Sequence, residues 1–266
     1  MTNKSSIKLV QISDIHLFAN KKDTLLAVNT FENFMAVLTL LENQQINPDL
    51  IVLSGDLSHD GSEQSYQHLL AAMKTFTCPI AWVPGNHDLT NSINSTLNAS
   101  YFNAKKQFIF SQWQIILLDS HQDNQVSGFL TNEQLQFLTT SLRTTNLATV
   151  IMLHHQVLPV GSAWVDRLNV QNKQEFLQII DAFPQVKAVV CGHVHQDSSQ
   201  SRNEVLFLST PATALQFKPH SDNFKLDTQM PGFRLIELHE NGKITSTVHR
   251  VPYHEDHVPD LKSVGY

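Results

Sequence analysis

Cysteine is almost missing from this chain, with Cys78 and Cys191 the only two in 266 residues. Two thiols are too few to staple a fold, and each stands beside apolar residues, so both are read as reduced and buried. Runs of about 18 consecutive apolar residues are also missing, which excludes a membrane-spanning helix. Met1 to Val10 carries Lys4 and Lys8 with no apolar stretch of leader-peptide length behind them, so the expected compartment is the cytoplasm. Nor is there an excess of positive charge. Lys and Arg number 18 against 24 Asp and Glu, and the formal charge of −6 opposes binding to the backbone of a nucleic acid. Linkers, internal repeats and low-complexity stretches are absent as well. A composition of 41% hydrophobic and 16% charged residues fits neither a disordered chain nor a coiled coil.

Histidine, by contrast, is plentiful, with 14 in a mildly acidic chain. Six of them (His16, His87, His154, His155, His193 and His195) fall in short clusters with Asp, Asn and Gly, a distribution that points to metal.

Apolar runs rich in β-branched residues predict strands at Ile7–Ile12, Leu50–Leu53, Ile80–Val83, Trp113–Leu118, Thr149–Leu153, Val186–Val190, Val205–Leu208, Phe233–Leu238 and Ile244–Val248. Helical patterns span Leu25–Leu41, Gln64–Phe76, Glu133–Leu142 and Lys173–Phe183. Thr131 with Gln134, and Asn172 with Glu175, have capping-box spacing at two of the helix starts. Strand and helix alternate through the first two thirds, after which strands follow one another. The expected class is therefore α/β, one domain over residues 1–250 with an antiparallel portion near its end, and a tail over 251–266.

Five polar clusters each follow a predicted strand. Asp14-Ile15-His16 leaves the first, and in an extended segment residues two apart point the same way, so both side chains can meet one cation. Alone, such a pair is an ordinary polar strand end. Gly55-Asp56 leaves the second strand at the carboxyl end of the sheet, where open α/β sheets bind ligands. Gly85-Asn86-His87-Asp88 leaves the third, offering an amide oxygen, an imidazole and a carboxylate able to hold that imidazole in one tautomer. His154-His155 and Gly192-His193-Val194-His195 follow two later strands, and the spacing of His193 and His195 repeats that of Asp14 and His16.

In order and spacing these clusters resemble the five-block signature of the calcineurin-like metallophosphoesterases. The stretches Gln11–Phe18, Leu26–Thr30, Pro159–Asn172 and Thr210–Asp227 further resemble the bacterial class III 3′,5′-cyclic AMP phosphodiesterases. The resemblance covers about Lys8 to Arg250. It implies a four-layer α/β/β/α sandwich of two mixed β-sheets flanked by helices. It also implies a cofactor of two divalent ions, drawn from Fe, Mn, Zn or Co. Asp14, His16, Asp56 and His195 would hold one ion and Asp56, Asn86, His154 and His193 the other, with Asp56 bridging. Such a pair acidifies a shared water, the nucleophile, and clamps the phosphate oxygens. Two dications less Asp14, Asp56 and one hydroxide leave a net positive charge suited to a phosphodiester monoanion.

His87 would protonate the departing ribose oxygen, with Asp88 orienting it, and the substrate would contact His16, Asp56, Asn86, His87 and His195. The implied reaction is hydrolysis of cyclic AMP to 5′-AMP, with a small nucleotide as partner and neither nucleic acid nor membrane. A broader phosphodiesterase or phosphomonoesterase is the alternative, and a non-catalytic binding module of the same fold a more distant one. His155 is read as either an outer partner of the metal site or a space-filler, and Trp164 with Asp166 as either a lid over the purine or a self-packed loop. Phe217 and His220 either contact base or ribose or only pack their loop. The run His254-Glu255-Asp256-His257 is chelator-like but is expected to be a solvated, frayed end. His59, His68, His121, His239 and His249 receive no role.

Overall fold

The alternation of strand and helix patterns resolves into two six-stranded sheets in the computed structural model, which describes residues 6–97 and 102–265. After β1 (Ser6–Ile12) come a small hairpin of β2 (Thr24–Leu25) and β3 (Val28–Asn29), then α1 (Thr30–Asn43), β4 (Leu50–Ser54), α2 (Glu63–Met73), β5 (Ile80–Val83), α3 (Thr90–Thr96) and β6 (Phe102–Asn103). The second half runs through β7 (Gln107–Phe110), β8 (Trp113–Leu117), α4 (Asn132–Arg143), β9 (Ala148–Met152), α5 (Ala163–Asp166), α6 (Lys173–Asp181) and β10 (Val186–Cys191). It ends with β11 (Ser198–Arg202), β12 (Val205–Ser209), β13 (Gly232–His239) and β14 (Ile244–Arg250).

One sheet has the order β14-β13-β1-β4-β5-β6 and the other β11-β12-β10-β9-β8-β7. In the first, β1, β4, β5 and β6 pair in parallel while β13 and β14 close the other side antiparallel. In the second, β8, β9, β10 and β12 are parallel and both edge strands antiparallel. Three apolar layers account for the stacking. Leu9, Val52 and Val83 of one sheet meet Ile115, Val150 and Val190 of the other between the sheets. Val10, Ile12 and Leu53 on the outer face of the first sheet pack on Phe34 and Leu38 of α1 and Leu69 of α2. Ile151 and Val189 on the outer face of the second pack on Leu138 of α4 and Phe176 of α6. The central strands are buried at every position, and almost wholly apolar, because both faces are covered.

All nine sequence-derived strands are present, and four short or edge pieces (the β2–β3 hairpin, β6, β7 and β11) escape the pattern. Ser198–Arg202 contains no β-branched residue, yet it pairs along the whole of β12. The helix expected from Leu25 begins at Thr30 instead. Leu26 and Ala27 take positive φ (48° and 72°) to turn the hairpin, and Asn29 then caps the helix by accepting the Glu32 N–H at 3.0 Å. Thr131 caps α4 as expected, whereas the Asn172 side chain does not cap α6. Its amide donates to the Leu130 carbonyl (2.8 Å) and accepts from the Leu130 N–H (3.0 Å), tying two loops together. Both cysteines are free thiols, but only Cys191 is buried, its thiol pushed up to about 12 by burial above all; Cys78 is half-buried.

The end of the chain is fastened rather than frayed: Val251 donates to Pro231, the Tyr253 hydroxyl to Gln229, and the Asp260 N–H to Leu26 (3.0 Å). Residues 1–5, which include Lys4, lie outside the described residues. Among the described residues no helix is long and apolar enough to cross a membrane.

Candidate metal centre

The five clusters leave the carboxyl ends of β1, β4, β5, β9 and β10 and converge above the two sheets. Extended alternation is not what aims them. Asp14, His16, Asp56, His193 and His195 all have positive φ, between 47° and 64°, a region that costs a non-glycine residue about 1–3 kcal/mol. Backbone hydrogen bonds between the loops hold these turns. The amides of Asp14 and His16 donate to the carbonyls of Gly55 (3.0 Å) and Asp56 (2.9 Å), and the His193 N–H donates to the Asp14 carboxylate (3.1 Å). The loops approach so closely that side chains are excluded at Gly55, Gly85 and Gly192. A Cβ on Gly85 would lie 2.2 Å from Asp56 Oδ1, and one on Gly192 2.0 Å from Ser13 Oγ.

The donor atoms gather in two groups. Asp14, His16, Asp56 and His195 form one, and His154 and His193, with His155, form the other. The extended i, i+2 reading would send His193 and His195 to one cation; the structure sends them to different groups. Asp56 stands between them, its Oδ2 lying 3.7 Å from His16 Nε2 and 3.5 Å from His154 Nε2. Its other oxygen accepts the His87 N–H at 2.9 Å, which fixes the carboxylate.

This donor set fits cations. His154 Nδ1 donates to the Ser54 carbonyl (2.8 Å) and His195 Nδ1 to the Leu215 carbonyl (2.7 Å), which leaves Nε2 of each ring as the atom turned toward the site. His195 Nε2 then faces His16 Nε2 at 3.3 Å and Asp14 Oδ1 at 3.4 Å. His154 Nε2 faces Asn86 Oδ1 at 3.2 Å as well as Asp56. His193 Nε2 is buried with no hydrogen-bond partner, an expensive state for a ring nitrogen unless something binds it. Acceptors converging without donors are what a cation relieves.

Burial shapes the charge states. It holds the rings of His16 and His155 well below the ordinary histidine value, and His193 at about 3, so these imidazoles are neutral, the form that binds metal. For Asp56, burial works to raise the pKa, but His154, His87 and His16 outweigh it and keep the carboxyl well below the usual range. For His154, burial works to lower the pKa, but Asp56 and Asp14 outweigh it and raise it to about 9. In the metal-free chain a proton on His154 therefore relieves the acceptors, and a cation would displace it.

His87 and Asn86 are half-buried at the rim. The expected partnership of Asp88 with the His87 imidazole is not what the carboxylate makes. Asp88 is buried and accepts from the N–H groups of Leu57, Ser58 and Gly85 (2.8–3.2 Å) and from the Tyr66 hydroxyl (3.0 Å). It knots the β4 and β5 loops, placing His87 through the backbone. Burial, then Asp56, pushes its pKa up to about 6 against those donors.

The ring that does lie along His87 is His59, stacked at 4.9 Å and 22°. Its Nδ1 is 3.2 Å from His16 Nδ1, so His59 joins a candidate ligand to the candidate acid. No signal in the sequence marked it, because its meaning lies in contacts across 43 and 28 residues. His155 is occupied elsewhere, its Nδ1 taking the Ser120 hydroxyl (2.8 Å) and its Nε2 donating to the Val126 carbonyl (3.1 Å). It braces the loop over Ser120–Val126 and touches His154 and His193 only ring to ring.

The residues considered for a lid pack on themselves. Asp166 accepts from the Val160 and Gly161 amides (2.7 and 3.0 Å), and Trp164 lies edge-on to Phe217 and Phe224. Phe217 is buried and stacks on His195 at 4.1 Å, backing that ring, while His220 is exposed. A cleft of about 560 Å³ opens instead beside Asn86, lined also by Leu89, Thr90, His121 and Asp123.

The profile of the calcineurin-like phosphoesterases matches residues 7–197. The chain is 41% identical to the 3′,5′-cyclic adenosine monophosphate phosphodiesterase CpdA of Escherichia coli K12, over 100% of this chain and 97% of that protein. It is 39% identical to a 3′,5′-cyclic-nucleotide phosphodiesterase of Nostoc sp., over 95% and 96% of the two. Among solved structures a dimetal phosphatase of Danio rerio superposes with a TM-score of 0.68 over 94% of this chain and 100% of the other, at 12% identity, a likeness of fold alone. Since the matched span runs past His195 and so contains all five clusters, the chain belongs to the calcineurin-like phosphoesterase family.

Proposed function

We propose that this protein hydrolyses 3′,5′-cyclic AMP to 5′-AMP as a small-molecule enzyme of the cytoplasm. The observation that carries the reading is one carboxylate oxygen, Asp56 Oδ2, lying between two groups of converging acceptors, with His87 at their rim. The extent of the likeness to the cyclic-nucleotide phosphodiesterases of E. coli and Nostoc supports the substrate. In this proposal Asp14, His16, Asp56 and His195 hold one divalent ion and Asp56, Asn86, His154 and His193 a second. Carboxylate, amide and imidazole donors without thiolate suit Fe, Mn, Zn or Co. When bound, such a pair supplies Lewis acidity toward the phosphoryl oxygens and acidifies water.

The chain's own residues supply the rest. Asp56 fixes the spacing of the two groups, and the His87 N–H fixes Asp56. As water adds to phosphorus and the bond from phosphorus to the 3′ oxygen breaks, the His87 ring gives its proton to that oxygen, a poor leaving group otherwise. His59 lies along His87 and holds its ring in place. The cleft beside Asn86, of a size usual for small-ligand sites, takes the nucleoside.

Steady-state kinetics after reconstitution test the reading. Cyclic AMP should exceed cyclic GMP, a linear diester and 4-nitrophenyl phosphate in kcat/KM by roughly tenfold or more. Preference for a linear diester or a monoester would establish the broader esterase, and inactivity on every substrate in the metal-loaded state the binding module.

A further inference from the structure

We propose that Glu32, His254 and His257 form a separate cation site that clasps the end of the chain to the start of α1. One donor atom from each lies within 4.8 Å of the others, and none belongs to the centre above the sheets. Two imidazoles and one carboxylate suit a borderline divalent transition ion, of which Zn²⁺ is the simplest probe.

The donors are arranged in advance from both sides. Asn29 accepts the Glu32 N–H and sets that residue in the first turn of α1. On the tail, the His257 N–H donates to the His254 carbonyl at 2.9 Å, closing a turn that puts both imidazoles on one side, with ring centroids 5.6 Å apart. That turn is anchored ahead by the Tyr253 hydroxyl on Gln229 and behind by the Asp260 N–H on Leu26. His257 Nδ1 already meets Glu32 Oε2 at 2.7 Å. His254 is exposed and brings a second ring to the pair, with Asp256 Oδ2 3.9 Å from its Nδ1 as a further oxygen. A half-exposed imidazole–carboxylate pair stabilises little by itself, so the ion would supply most of the strength of the clasp. The clasp would close on the helix whose first residue, Thr30, bonds the His16 carbonyl at 2.7 Å, and so would steady a loop of the metal centre.

The test uses the full chain equilibrated in Zn²⁺ buffered at low-micromolar free concentration, with bound zinc counted by mass spectrometry. The wild-type chain should carry one more Zn²⁺ than His254→Ala, a variant that leaves the His257–Glu32 pair in place, and one more than His257→Ala. Hydrogen exchange of the tail amides should slow with Zn²⁺ by roughly tenfold or more in the wild type, as when free ligand exceeds Kd tenfold, and stay unchanged in His254→Ala. Equal zinc counts in wild type and His254→Ala, or a wild-type tail whose exchange ignores Zn²⁺, would overturn the proposal. An extra ion that appears only at millimolar Zn²⁺ would do the same.

Discussion

Asp56→Ala strips both metal positions and lowers turnover of cyclic AMP on the order of 10³-fold or more, since the whole contribution of the cation pair goes with it. Asp56 Oδ2 lies between the two groups, with His16 and His195 on one side and His154 and Asn86 on the other. Asp56→Asn keeps the shape and loses the charge, so it isolates the electrostatic part and should be nearly as damaging. His195→Ala, by contrast, touches one group and should leave the ion of the second bound. Metal counts per chain beside steady-state rates, with circular dichroism as a check on folding, read these outcomes. An Asp56→Ala protein that keeps two ions and its rate would remove Asp56 from the bridge.

His87→Ala leaves the metal count unchanged and slows cyclic AMP hydrolysis by about 10²–10⁴-fold, the usual worth of a positioned proton donor. The loss should shrink for a 4-nitrophenyl ester, whose leaving group needs no proton. An equal loss on both substrates would leave His87 only a phosphate-positioning role. The stacked ring of His59 enters the same experiment. At saturating metal His59→Ala should cost less than His87→Ala, and nothing further once His87 is already Ala. Additive losses would separate the two residues, because coupling in such a cycle reports their interaction.

Much of the architecture is legible in the sequence, since strands covered on both faces are written as mostly apolar runs: Leu50–Ser54 and Trp113–Leu117 are buried at every position, with Ser54 and Gln114 their polar residues. Edge pieces such as Ser198–Arg202 are not, because pairing to β12 rather than side-chain chemistry makes them strands. The residue types of the site are legible for a related reason, as chemistry limits what can follow each strand. Their geometry is not. Asp14 and His16 reach one group through two left-handed residues, whereas alternation in an extended segment would have placed them together for the wrong reason. Backbone hand cannot be read from spacing, and the same lack hides the parting of His193 from His195. Contacts between distant loops are invisible in a single sequence for a different reason. Asp88 looked like a partner for its neighbour His87 and is instead taken up by amides some 30 residues away. His59 looked like one histidine among many until folding laid it along His87. The tail read as a solvated chelator-like run because nothing within it reveals that Leu26, Gln229 and Glu32 wait to receive it.

The central claim is that two cations share Asp56, and anomalous diffraction from crystals of the manganese- or zinc-loaded protein tests it most directly. The account predicts two peaks flanking Asp56 Oδ2, about 3.5–4 Å apart, one against His16 and His195 and the other against Asn86, His154 and His193. A single peak, or a pair in which Asp56 touches only one ion, would contradict it.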